Sequence, residues 1–248
     1  MRFAGQCVIV TGAGSGIGRA LALGFCRDGA TVVGIGRTAA DLEATARECA
    51  PGAMHFVAGD VGRKEDVDRL FAEAERRAGK VDILVNNAAA YPKVAFLDSS
   101  HEDWTRAIET NLIGLAYCCR RALPGMLERG YGRIINVGTL AWRSPIPASS
   151  AYAASKAAVR VLTVALAGEI DRARYPDVLV NELLPGIIRT RMSDDGQDPA
   201  SVYAYARNLA SLPRNGPTGT TFLQGDVYVE NQGLRAKLGR LLRRMTGR

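Results

Sequence analysis

The chain has 248 residues, 47% hydrophobic and 23% charged, the balance of an ordinary globular protein and not that of a disordered or fibrous one. Its net charge of +7 is local: Arg235, Lys237, Arg240, Arg243, Arg244 and Arg248 stand together without an acid, while the rest of the chain carries 26 bases against 25 acids, which argues against a nucleic-acid-binding body. No apolar run approaches the roughly 18 residues of a membrane span, and the opening turns glycine-rich too soon for a secretory leader, so a cytoplasmic protein is expected.

In chain order, short apolar strands are predicted at Cys7 to Thr11, Thr31 to Ile35, Met54 to Ala58, Ile83 to Asn86, Arg133 to Val137 and Val178 to Leu184, with a weaker one at Phe222 to Val229. Each has the short apolar character of a parallel strand buried on both faces. Helical patterns fall between them, at Ile17 to Arg27, Ala39 to Cys49, Lys64 to Ala78, His101 to Arg129 and Ser149 to Ala173. The alternation predicts an α/β fold with a doubly wound (Rossmann-type) sheet, since right-handed crossovers put helices on both faces. No linker or repeat interrupts it, so one domain is expected over residues 1–233, followed by a basic tail over 234–248. The polar stretch Arg191 to Leu212 breaks the alternation and is read as a mobile lid.

Five cysteines, at 7, 26, 49, 118 and 119, show no CxxC spacing, and the histidines number two, His55 and His101. Neither a disulfide framework nor a metal centre is expected, and a Ser-His-Asp hydrolase is disfavoured.

The first strand runs into Gly12-Ala13-Gly14-Ser15-Gly16-Ile17-Gly18 and then a helix. Strand, glycine turn and helix N-terminus in that order hold a dinucleotide pyrophosphate, because backbone N–H groups approach the phosphates and the helix dipole favours their charge. After the second strand comes Gly36-Arg37-Thr38. An acid there would accept from an unmodified adenosine ribose, whereas the Arg37 fork suits a 2′-phosphate, so NADP(H) is favoured over NAD(H).

Tyr152-Ala-Ala-Ser155-Lys156 places a phenol and an ammonium at i and i+4, one turn apart on one helical face. A nearby cation stabilises phenolate and is expected to bring the phenol toward its working range as a proton donor or acceptor.

Taken with Asp60-Val61, Asn86-Asn87-Ala88-Ala89, Asn111 and Pro185-Gly186-Ile187-Ile188-Arg189-Thr190, these motifs resemble the short-chain dehydrogenase/reductase family over roughly residues 5 to 192, in its short, carbonyl-reductase-like branch. The resemblance implies a seven-stranded parallel sheet and hydride transfer between NADP(H) and a carbonyl or secondary alcohol. It implies cofactor contacts at Gly12, Ser15, Gly16, Ile17, Gly18, Arg37, Asp60, Val61, Asn87, Ala88, Ala89, Tyr152, Lys156, Pro185, Gly186, Ile188 and Thr190. Tyr152 would exchange the proton, Lys156 would bind the nicotinamide ribose and tune Tyr152, and Asn111 would hold a water joining Lys156 to solvent. The chain departs from the family at Thr139, where a serine is usual, and at Ala89, where glycine is. The threonine keeps a hydroxyl to donate to a developing oxyanion, with a methyl that narrows its rotamers.

Tyr91, Leu140, Ala141, Trp142, Arg143, Ile146, Met192 and Tyr203 are candidate pocket residues, which suggests a bulky, largely apolar small-molecule ketone or aldehyde as substrate, with Arg143 available to an anionic group. A homodimer or homotetramer is expected. The tail sets leucines at helical spacing between bases, a pattern for an anionic membrane, a partner or solvent. The rival function, a regulator that binds NADP without catalysis or works at a membrane, leaves the Tyr152/Lys156 pair without a purpose.

Overall fold

The computed structural model describes residues 1–229, so the basic tail lies outside the described residues. Eight strands form one sheet in the order β3-β2-β1-β4-β5-β6-β7-β8: β1 (Cys7–Thr11), β2 (Thr31–Gly36), β3 (Met54–Ala58), β4 (Ile83–Asn86), β5 (Gly132–Val137), β6 (Val178–Leu184), β7 (Thr221–Leu223) and β8 (Asp226–Val227). The first seven are parallel, as expected, and β8 adds an antiparallel edge. The single weak strand predicted over 222–229 is therefore a hairpin: Gln224 and Gly225 both take positive φ and turn the chain back.

The helices are α1 (Gly16–Arg27), α2 (Ala39–Arg47), α3 (Lys64–Ala78), α4 (His101–Ile108), α5 (Gly114–Arg129), α6 (Ser150–Glu169) and α7 (Val202–Ala210). They cover both sheet faces and give two apolar cores, one built on Phe25, Leu21 and Leu42, the other on Phe71, Leu70 and Met126. The long helix predicted over 101–129 is two helices joined by a π turn, Glu109–Ile113. Ser100 and Asp103 cap the start of α4 reciprocally.

The strand order reverses between β1 and β4, which opens a crevice beyond their carboxyl ends, where open α/β sheets bind ligands. The region read as a lid is largely fixed. Ile188 and Thr190 bridge to Gln197 and Ser193, and α7 beyond them is part of the core, with Val202, Ala206 and Leu209 buried. Tyr203 does not face a pocket. Its ring meets Phe25 edge-on at 5.3 Å, its hydroxyl donates to Asp28 at 2.6 Å, and it lies so close over Gly24 that a Cβ there would come within 2.2 Å.

Candidate active site

The crevice contains a cavity of about 160 Å³. Gly12, Ser15, Arg37, Asp60, Val61, Ala88 and Ala89, all singled out from sequence, line it together with Thr38, Asp41, Thr110 and Arg191. The glycine turn is built by close approach. Gly12 and Gly16 sit at φ +71° and +52°, and a Cβ on Gly18 would lie 2.0 Å from the Gly12 carbonyl oxygen. No side chain caps the start of α1, so its first N–H groups stay available to an anion.

Thr11 closes the turn from below: its hydroxyl accepts from the backbone N–H groups of Asn87 and Ala88, both at 2.9 Å, and its carbonyl accepts from the Asn87 amide. Asp66 accepts from the Asp60 N–H at 2.8 Å and holds the Asp60–Val61 corner. The side chain of Ile188 is buried in the core and that of Ile17 packs against it. Gly186, at φ +86°, bends the chain after Pro185, and Thr190 packs against Gly16.

Two residues of the rim went unread in the sequence. Arg191 reaches 150 positions back to Asp41, with Nη1 3.0 Å from the carboxylate. This ion pair joins the loop after β6 to the first turn of α2 beside the Arg37 side of the cavity.

The second cluster lies on α6 and the turn after β5. Lys156 is 2% exposed and donates from Nζ to the Val137 carbonyl at 2.7 Å. Burial lowers its pKa to about 8, with the charge of Glu182 working against that shift. Tyr152 goes the other way: burial raises its pKa to about 12, Thr139 lowers it through a hydrogen bond, and Tyr91 raises it further. The expected acidification of the phenol by Lys156 is not what the protein alone produces, because desolvation outweighs the Thr139 hydrogen bond that lowers it. The phenol is held protonated.

The Tyr91 ring lies 4.6 Å from that of Tyr152, and the Tyr91 hydroxyl is buried without a partner among the described residues. Thr139 accepts from the Ala141 N–H at 3.2 Å, which orients the turn that carries it. Asn111, fully buried in the π turn, brackets the site: its amide accepts from Ala90 N–H at 2.7 Å and donates to the Ala90 carbonyl and to Ser155 Oγ at 2.9 and 2.8 Å. The side chain thus ties the segment after β4 to α6. Arg143 donates to Tyr228 at 2.6 Å. Trp142 lies under the Arg160 guanidinium, 4.5 Å from its ring centre. Ile146, Ile187 and Met192 are exposed on the loops after β5 and β6.

The short chain dehydrogenase family model matches residues 6–200. A 3β-hydroxysteroid dehydrogenase of Mediterraneibacter gnavus is 38% identical over 213 residues, spanning 80% of this chain and 77% of that protein. An uncharacterised oxidoreductase of Staphylococcus aureus strain N315 is 34% identical over 211 residues, 81% of this chain and 90% of that protein. Among solved structures, the 3-ketoacyl-(acyl-carrier-protein) reductase of Brucella melitensis complexed with NADH superposes with a TM-score of 0.82 at 28% identity, covering 89% of this chain and 97% of that one. A short chain dehydrogenase/reductase family protein gives 0.80 at 32% identity, covering 90% and 97%. Members of this family bind a nicotinamide cofactor and act on small molecules. Fold, motifs and relatives agree: the chain belongs to the short-chain dehydrogenase/reductase family of oxidoreductases.

Proposed function

We propose that the chain is an NADPH-dependent reductase of a bulky, largely apolar ketone or aldehyde, reversible as an alcohol dehydrogenase. The observation that carries this reading is the buried Tyr152/Lys156 pair on α6, with Thr139 and the ring of Tyr91 against Tyr152.

The residues present fit the cofactor. The turn from Gly12 to Gly18 leaves a cradle that a Cβ would fill, and the uncapped start of α1 offers N–H groups to a pyrophosphate. Asp60, Val61, Asn87, Ala88 and Ala89 would hold the adenine and nicotinamide halves, and Pro185, Gly186, Ile188 and Thr190 the carboxamide side. Arg37 is exposed on the cavity wall, and Asp41 already answers Arg191. Arg37 is thereby the fork for a 2′-phosphate. When bound, the cofactor supplies or accepts the hydride.

The chain's own part is the proton. Tyr152, protonated through the neutral range, donates from its hydroxyl to the substrate oxygen during reduction. Thr139 donates a second hydrogen bond as negative charge develops there. Lys156 as an ammonium holds the cofactor ribose and adds positive charge behind the phenol. Tyr91 and the exposed Ile146, Ile187 and Met192 are the apolar surface that favours a large substrate. The steroid and 3-ketoacyl relatives point the same way. Exposed Val161 and Val164 on α6, with exposed Ile113 on the π turn that packs against that helix, support a homodimer or homotetramer, which sedimentation would size.

The test is oxidation of NADPH against a panel including a steroid ketone, a 3-ketoacyl thioester and a small aldehyde. Turnover favouring the larger ketones supports the reading; turnover confined to the small aldehyde removes the substrate class.

A further inference from the structure

Strand β6 reads Val178-Leu-Val-Asn-Glu182-Leu-Leu184, and every residue in it is buried. A carboxylate inside a parallel strand is costly unless it is paired. Glu182 has no exposed surface, yet only one of its oxygens has a partner: Oε2 accepts from Thr221 Oγ1 on β7 at 2.7 Å, and Oε1 has none among the described residues.

Lys156 reaches the sheet close to Glu182: its Nζ donates to the Val137 carbonyl at 2.7 Å, and Val137 pairs in register with Leu183, the residue after Glu182. Glu182 is paired in register with Asn136 of β5, and Gly138, two residues farther on, lies over the carboxylate so closely that a Cβ on it would come 2.1 Å from Oε1. Gly138 immediately precedes Thr139. The charged groups that face Glu182 are Lys156 and Arg160, both from α6; β5 brings Asn136 and Gly138, and β7 brings Thr221. Arg160 donates to Thr221 Oγ1 at 3.2 Å and stacks on Trp142 of the turn that follows Thr139. A single buried acid thus touches the electrostatics of Lys156 and the placement of the Thr139 turn.

We propose that Glu182 is a positioning residue of the reaction, the buried counter-charge that keeps Lys156 an ammonium behind Tyr152 and the wedge under Gly138 that fixes the Thr139 turn. This rests on the roles proposed above for Tyr152, Lys156 and Thr139. Burial works against charge on Lys156 and Glu182 alike; the charge of Glu182 opposes that effect on Lys156, while the Thr221 hydrogen bond, then Arg160 and then Lys156 oppose it on Glu182. Losing the carboxylate leaves only the desolvation, so Lys156 gives up its proton at lower pH. A bulkier residue at 138 needs the space Oε1 occupies.

Lys156 is one of five lysines, so side-chain carbon NMR of lysine-labelled protein, assigned with Lys156→Arg, follows its titration without requiring turnover. In the wild type the midpoint is expected near 8; in Glu182→Gln it should fall by about 1 pH unit, the low end of what an adjacent opposite charge does. Thr221→Val, which weakens the carboxylate form from a distance, should move it the same way by less and serves if Glu182→Gln does not fold. An unmoved midpoint in the folded variant overturns the counter-charge. The pH profile of carbonyl reduction should lose activity at correspondingly lower pH; a uniform loss at every pH would mark Glu182 as structural only and overturn the positioning role. Gly138→Ala should lower the thermal midpoint far less in a Glu182→Ala background than alone, and equal losses in both backgrounds overturn the wedge. If the wild type consumes no NADPH with any carbonyl, the reductase reading falls, while the Lys156 midpoint still decides the counter-charge.

Discussion

The two clusters, the glycine turn and the buried pair on α6, are built from opposite materials. On the β1–β3 side, recognition rests on backbone: Gly12 and Gly18 pass within van der Waals reach of neighbouring main chain, Gly16 passes close to the Thr190 side chain, and the helix start is bare. On the β5–β6 side, chemistry rests on buried side chains whose ionisation is displaced by their surroundings, Tyr152 upward and Lys156 downward. One half should fail when a methyl group is added, and the other when a single oxygen or charge is removed.

The largest effect belongs to the side-chain half. Tyr152→Phe deletes one oxygen, and steady-state assays should show kcat for carbonyl reduction lower by about 10²- to 10⁴-fold, with NADPH affinity by fluorescence titration unchanged. If the variant keeps wild-type turnover, Tyr152 is not the proton donor. Next comes the added methyl. Gly18→Ala drives a Cβ against the Gly12 carbonyl, and calorimetry should show a loss of about 1–3 kcal/mol together with abolished NADPH binding; retained binding would break the backbone half of the contrast.

Arg37→Ala ranks third. It removes a charge-assisted bond of about 1.5–3 kcal/mol, so KM for NADPH should rise about tenfold to a hundredfold while KM for NADH stays put. Equal changes for both cofactors would show that Arg37 does not read the 2′-phosphate. pH sharpens the same picture more gently. Lys156 is required as the cation and its pKa lies at about 8, so reduction should hold steady below that pH and decline above it. Alcohol oxidation should instead climb with pH up to about 8, where Lys156 begins to lose its charge, since burial keeps Tyr152 protonated up to about 12 and the phenolate fraction grows with pH. Thr139→Ser, which keeps the hydroxyl and drops only a methyl, should change kcat by a few-fold at most; the loss expected for Thr139→Val is about a hundredfold.

The contrast also explains what was legible. Glycine spacing and the Tyr152/Lys156 interval are local, because a turn and one helical face are each written within a few residues. Helix ends written in capping residues or glycine, such as Gly79 after α3, were equally readable. What escaped notice was set by distant neighbours. The Arg191–Asp41 pair spans 150 positions, and Tyr203 looked like a lid residue because its partner, Phe25, lies on a helix far back in the chain. The π turn carrying Asn111 hid inside a continuous helical pattern. Glu182 had a signal: it is the acid in a predicted strand that is apolar apart from it and Asn181, and a strand buried on both faces leaves a carboxylate nowhere to go but a partner.

The most direct measurement follows the hydride itself. The protein is mixed with NADPH deuterated at the transferring position and a bulky apolar ketone, and the product alcohol is weighed by mass spectrometry for wild type and Tyr152→Phe. One deuterium on the carbinol carbon with the wild type, and none above background with the variant, is the predicted result. Deuterated NADPH bound tightly by both proteins but transferred by neither, or transferred equally well by both, would contradict it.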